Sequence, residues 1–309
     1  MSEVPDDTKL SRLSIPGTHS SMTGHSQYCR DAPYFQCLTQ QMKLEDQLRA
    51  GIRFIDLQLL LNKYSFDQLL IVHGSTNLFV SLITVFNKDL RVNLREAQRG
   101  AIGKWNELKK KINSYMMVYP TFFYQENFSN SRYHTATLKV ARGKVVLLNS
   151  FSDFDTITTG KSVNLWLGTR AFTMGHFNQM TMSYDDENTV TDFDPGLMIT
   201  DNSSIHCDNN EVNNYILELE NNIIKAGAVD NNDQFYMTWV NYVPQNKLHV
   251  LDECRKLVDL KFQKMLYRNW VNKHLYGAGI IIMNFLDDQD KIDAYIANII
   301  RFNVKKGKS

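Results

Sequence analysis

Two histidines at matching places in the chain carry the strongest chemical signal. His19 closes the run Leu13-Ser-Ile-Pro-Gly-Thr-His19, and His73 closes Leu69-Leu-Ile-Val-His73, just before Gly74. Each follows a short apolar run that reads as a buried strand. Imidazole changes charge near neutrality, so two rings converging on one cleft can serve as general base and general acid. Between them lies Gly51-Ile-Arg-Phe-Ile-Asp56-Leu-Gln58. Side chains alternate along a strand, which puts Phe54, Asp56 and Gln58 on one face and Arg53, Ile55 and Leu57 on the other. An acid and an amide inside a barrel strand are costly unless hydrogen-bonded. Near a strand's carboxyl end they become site candidates. The plainer reading makes Asp56 a cap for a neighbouring loop. Pro16-Gly17-Thr18 reads as a turn that aims His19, and Gly74 permits close backbone approach beside His73.

The elements that must hold these residues follow from periodicity. Strand-like runs cover 10–15, 52–60, 69–72, 115–119, 144–149, 235–240 and 280–285, with 197–200 a weaker candidate. Helical spacing covers 38–50, 87–111, 210–226, 248–275 and 289–302. Gly51 stands where the first of these helices should end. The stretch 150–204, rich in Asn, Asp, Thr and Ser, reads as long loops over one end of the domain. Alternating strands and helices indicate an α/β fold with a parallel sheet in a single domain, 1–309. Seven or eight strands fit a closed barrel. A doubly wound sheet is the runner-up, weakened because no Gly-x-Gly-x-x-Gly or Walker pattern follows any strand.

Composition narrows the class. Of 309 residues, 43% are hydrophobic and 22% charged, as in ordinary globular proteins. A net charge of +1 argues against nucleic acid as a partner. No apolar run is long enough to span a bilayer, and the polar start, Met1-Ser-Glu-Val-Pro-Asp-Asp, does not read as a signal peptide. Cys29 and Cys37 bracket a loop-like stretch and suit either a short disulfide or free thiols. Cys207 and Cys254 decide nothing, and no CxxC pair or Cys/His cluster suggests zinc.

Four segments in order, Leu13-Ser-Ile-Pro-Gly-Thr-His19, Gly51-Ile-Arg-Phe-Ile-Asp56, Val72-His73-Gly74 and Ala141-Arg-Gly-Lys-Val-Val-Leu-Leu148, resemble successive motifs of the bacterial phosphatidylinositol-specific phospholipase C family, the so-called X domain. The likeness is strong over the first 75 residues and at 141–149, and weak from 150 to 277. It implies a distorted, incompletely closed TIM (β/α) barrel. It also implies cleavage of an inositol phospholipid. The inositol 2-hydroxyl attacks phosphorus in line, His19 matches the base and His73 the acid that protonates the leaving diacylglycerol oxygen. Asp56 is the retained carboxylate. Ser20, Arg53, Gln58, Asp201 and Asn284 become the candidate substrate-binding positions.

Several of these depart from the family pattern. The family places Asp after the first histidine, where this chain has Ser20. It places a phosphate-facing Arg two residues after the strand aspartate, where this chain has Gln58. It places Arg after the Arg-Gly-Lys strand, here Ser150, and an orienting Asp in the last strand, here Asn284. Asp201 matches an inositol-binding Asp, but the Tyr two residues on is Ser203. Losing an orienting carboxylate or a bidentate Arg weakens catalysis. Calcium replaces that charge in eukaryotic relatives, but Ser20, Asp56 and Gln58 make a poor hard-cation site, so no metal or other cofactor is expected.

A lipase-like enzyme must also meet an interface. Tyr28, Tyr34, Phe35, Trp105, the run Tyr119-Pro-Thr-Phe122-Phe123-Tyr124, Trp270 and the basic end Lys305-Lys306-Gly307-Lys308 are the candidate contacts. The expectation is a monomeric, metal-independent phosphodiesterase, secreted or peripheral to a membrane, acting on phosphatidylinositol or a related glycerophospholipid. Two alternatives remain open: an impaired relative that binds a phosphorylated ligand, a membrane surface or a protein, and an enzyme for a different diester.

Overall fold

The computed structural model describes residues 3–25, 38–61, 69–73, 76–81, 91–96, 112, 114, 117–124, 137–149, 171–175, 179–183, 204–205, 209–228, 235–240, 243–244, 251–272, 275, 277–284 and 289–304. Among the described residues twelve strands run in chain order: β1 (Ile15–Thr18), β2 (Phe54–Leu61), β3 (Leu69–His73), β4 (Thr76–Ser81), β5 (Arg91–Glu96), β6 (Leu147–Asn149), β7 (Ala171–Gly175), β8 (Gln179–Ser183), β9 (Ser204–Ile205), β10 (Phe235–Val240), β11 (Val243–Pro244) and β12 (Ile280–Met283). The principal helices are α1 (Leu44–Ala50), α2 (Asn209–Ala226), α3 (Leu251–Asn272) and α4 (Gln289–Val304).

Ten strands form one curled sheet, ordered β4-β3-β2-β1-β12-β10-β8-β7, with β5 beside β2 and β6 beside β5. The run β10-β12-β1-β2-β5-β6 is parallel. Among the described residues β6 and β7 do not pair, so the sheet curls into a distorted barrel that does not close. Two strands depart from the expected parallel sheet: β3 runs antiparallel to β2, and β8 antiparallel to β10.

That reversal positions the site. Each strand has two edges. β5 occupies one edge of β2 from Phe54 to Leu59. On the other edge β1 pairs with Phe54 and Ile55, while β3 pairs with Gln58 to Leu61 from the opposite direction. The carboxyl ends of β1 and β3 therefore meet beside Asp56 and Leu57.

Two layers of side chains hold the sheet. Ile15, Phe54, Met237, Trp239, Ile280 and Ile282 fill the barrel interior. Ile55, Leu57, Leu59 and Ile281 face outward, against Leu219, Ile223, Phe262, Ile296 and Ile299 of the helices. β12 is buried at every residue, as a central parallel strand must be. Gly17 leaves room for the Phe54 ring beside it on β2, since a Cβ there would lie 2.8 Å from Phe54 Cδ1.

Local readings fared unevenly. Gly51 ends α1 as expected, with φ 109° and its N–H on the carbonyls of Gln47 and Leu48. The helices expected over 210–226 and 289–302 form, and 248–275 becomes the single helix α3. The strand read at 10–15 is a 3-10 turn, Leu10–Arg12, whose Leu10 joins Leu13 in the interior cluster, and β1 starts only at Ile15. Pro16-Gly17-Thr18 is thus strand rather than turn. The helix read over 87–111 contains β5, where Val92 and Leu94 alternate with Arg91, Asn93 and Arg95. At 115–119, Met117 and Val118 are helical and exposed rather than strand. The helix over 38–50 begins at Leu44, because Thr39 and Gln40 spend their polar groups holding other backbone. The presumed loop 150–204 contains the hairpin β7–β8. The candidate at 197–200 lies outside the described residues.

Candidate active site

The chain leaving β1 is clamped before it reaches the cleft. His19 N–H donates to Met283 O at 3.0 Å, continuing the β1–β12 ladder. The carbonyl of His19 accepts from Thr39 Oγ1 and Gln40 Nε2, each at 3.0 Å. Gln40 is fully buried and also donates to Met283 O at 2.8 Å. Beyond the histidine, Ser21 N–H donates to Asp56 O, and Asp56 N–H donates to Ser21 Oγ, both at 3.0 Å. These bonds carry the pairing with β2 past the end of β1. They fix where the imidazole stands.

His19 Nδ1 lies 2.9 Å from Asn284 Oδ1. An amide oxygen only accepts, so Nδ1 carries the proton and Nε2 is the basic nitrogen. Nε2 is 3.9 Å from Asp56 Oδ2. Asp56 is fully buried, and its Oδ2 also accepts from Ser20 N–H at 3.0 Å. The His73 ring stands 5.9 Å from the His19 ring, centroid to centroid, at 86°. Trp239, on the interior face of β10, meets His19 edge to face at 5.2 Å. Two imidazoles, one carboxylate and an indole thus converge at the mouth of the sheet.

Asn284, named above both as a substrate-binding candidate and at the family's orienting position, hydrogen-bonds the histidine. Ser20 and Gln58 are buried beside Asp56. Arg53 is not brought to the cluster: its Nη1 donates to Leu48 O and Ile52 O, both at 2.8 Å, securing the end of α1. Alternation along β2 already separated it from Asp56. Asp201, Ser203 and Ser150 lie outside the described residues, as do Cys29, Cys37 and Cys207.

The sequence reading missed Trp239, although the interior alternation of Met237 and Trp239 was available in a strand already recognised. It also missed Thr39 and Gln40, whose role depends on a fold contact. Reading 87–111 as helix also hid the register of β5 with β2, which sets Arg95 level with Gln58 and Asn93 level with Asp56. Among the described residues no three His, Cys, Asp or Glu side chains converge to hold a metal ion.

The aromatic lipid contacts are redistributed. Phe123 is buried and bridges Val145, toward the amino-terminal ends of the parallel strands and away from the histidines. Phe122 is exposed at that same end, and Tyr119 packs on it. Trp270 is half-buried beneath the Arg301 guanidinium, 5.5 Å from its ring centre. Tyr28, Tyr34, Phe35, Trp105 and the basic end lie outside the described residues. Among the described residues no helix is long and apolar enough to cross a membrane.

A 1-phosphatidylinositol phosphodiesterase of Listeria monocytogenes is 34% identical over 162 residues, which is 48% of this chain and 47% of that protein. The chain is similar, in sequence and in fold, to bacterial phosphatidylinositol-specific phospholipases C. The match thus spans about half the length of that curated relative. The solved phosphatidylinositol-specific phospholipase C of Listeria monocytogenes superposes with a TM-score of 0.64 at 21% identity, covering 96% of this chain and 97% of that one. A mutant of the Staphylococcus aureus enzyme gives a TM-score of 0.63 at 14% identity, covering 95% and 94%. No family model matches.

Proposed function

We propose that this chain is a metal-independent phosphodiesterase of the phospholipase C type, cleaving phosphatidylinositol or a related glycerophospholipid at a membrane interface. The observation that carries the proposal is the pair of imidazoles 5.9 Å apart, with Asp56 beside one of them. A phosphorus atom held between the rings puts a base on one side and an acid on the other. His19 Nε2 takes the proton of the attacking inositol hydroxyl. The oxygen–phosphorus bond forms as the bond to the diacylglycerol oxygen breaks, and His73 gives that oxygen a proton. A cyclic inositol phosphate remains.

Asn284 keeps the proton on Nδ1 but is neutral, so it cannot balance the imidazolium. Asp56 does so from the Nε2 side. The negative charge growing on the phosphoryl oxygens needs a cation. Gln58 offers none, and Arg95, level with it on β5, supplies the charge in this reading. The protein acts as a monomer, without nucleic acid, and is secreted or peripheral to the membrane.

The test is release of inositol phosphate from phosphatidylinositol in vesicles, comparing wild type with His19→Ala and His73→Ala. Both variants must lose turnover while remaining folded. Undiminished release from either would overturn the proposal. Binding to the vesicles without turnover by the wild type would point instead to a ligand-binding relative.

A further inference from the structure

We infer that the Ser20 hydroxyl is a substrate contact, donating a hydrogen bond to a non-bridging oxygen of a bound phosphate. The inference rests on the phosphodiesterase reading and names one contact within that same site. Two local penalties fall on this residue. Ser20 is 4% exposed, and its Oγ has no hydrogen-bond partner within the protein. A buried hydroxyl without a partner is unfavourable. Ser20 is also the one non-glycine residue, among those described, with positive φ, at 43°. Left-handed backbone disfavours a side chain bearing Cβ.

The surroundings impose that backbone. The Ser20 N–H is held by Asp56 Oδ2, and the Ser20 carbonyl accepts from Thr23 N–H at 3.0 Å. On either side, His19 N–H is fixed to Met283 and Ser21 N–H to Asp56. Nothing in that network requires a hydroxyl. Glycine would relieve the left-handed conformation, and alanine would remove the unpaired oxygen. Costs that the fold does not need cluster at sites where a ligand removes them.

The place of Ser20 indicates the ligand. Its amide shares Asp56 Oδ2 with the Nε2 side of His19, 3.9 Å away, so the residue adjoins the base. A hydroxyl donating to an anionic oxygen makes a short, charge-assisted bond, stronger than one to a neutral acceptor. A phosphate oxygen meets that description. The left-handed turn then serves to hold the donor beside the base.

The experiment compares the full-length wild type with Ser20→Ala and Ser20→Gly. Thermal stability is followed alongside the affinity for inorganic phosphate, read from imidazole NMR shifts of His19 and His73. The expected result is a melting temperature unchanged or higher in both variants, with phosphate affinity lower by about tenfold or more, the value of one hydrogen bond to a charged group. A fall in melting temperature in both variants, or phosphate affinity equal to wild type, overturns the inference. No detectable phosphate binding by the wild type overturns it as well. Phosphate binding that depends on Ser20, in a protein that does not cleave phosphatidylinositol, leaves this contact standing and removes the proposed reaction instead.

Discussion

The mouth of the sheet and its rear wall are built on opposite terms. Around β1, β2 and the segment between them, Thr18, Ser20, Ser21, Thr23, Thr39, Gln40, Gln47, Asp56 and Gln58 are all buried polar residues. Most are tied to backbone: Gln47 Nε2 to Ser21 O and Met42 O, Thr23 Oγ1 to the amides of Thr39 and Gln40, and Ser21 Oγ to Thr18 O. The rear wall, where β10 and β12 meet α2, α3 and α4, is nearly all aliphatic and aromatic, from Met237 and Ile280 out to Leu219, Phe262 and Ile299. Its few buried polar groups sit at fixed joints. Glu220, for example, accepts from Arg268 and Asn269 across α2 and α3. Apolar burial is non-directional and supplies stability. Hydrogen bonds contribute less net energy but fix angles. The rear wall supplies the driving force for folding, and the mouth uses directional bonds to hold two rings and a carboxylate in place.

If that division is right, substitutions at the two places separate turnover from stability. The largest effect belongs to the rings. His19→Ala and His73→Ala should each lower phosphatidylinositol cleavage by about 10²- to 10⁴-fold, with little change in melting temperature. Phe262→Ala should do the reverse. It removes a fully buried ring between α3 and the sheet, costing about 3–5 kcal/mol in denaturant unfolding, while turnover per folded molecule stays near wild type. If the Phe262 variant loses turnover in its folded fraction, the two regions are not separable.

Smaller effects sharpen the account of charge at the mouth. Arg95→Gln should reduce kcat/KM by about 10- to 100-fold, the loss of a charge-assisted contact to phosphate, and Arg95→Lys should restore part of it. Equal rates for Arg95→Gln and wild type would place the phosphate cation elsewhere. Asn284→Asp adds a carboxylate at His19 Nδ1. A negative neighbour favours the protonated ring, so the ascending limb of the pH–rate profile should move to higher pH by about one unit. An unmoved limb would mean that His19 is not the base.

Parts of this arrangement were legible in the chain alone. His19, Asp56 and His73 stood out because each polar residue follows or interrupts an apolar strand. The stripes of α2 and α4 were equally plain, since Val212, Ile216, Leu219 and Ile223 recur at helical spacing and are all buried. β5 was obscured because six residues flanked by charged sequence offer too short an alternation to outweigh helix formers. The register that sets Arg95 level with Gln58 went unseen with it. Thr39 and Gln40 looked like the start of a helix, and only their contact with the His19 carbonyl shows why the helix waits until Leu44.

Residue types and local spacing determined which groups can exchange protons and which faces of the strands and helices are apolar, because those depend on chemistry and on backbone period. Tertiary structure alone decided that β3 runs backward along the edge of β2 that β1 has already used. That direction sets His73 against His19 and beside Asp56, since strand pairing joins residues far apart in sequence and local pattern carries no record of direction.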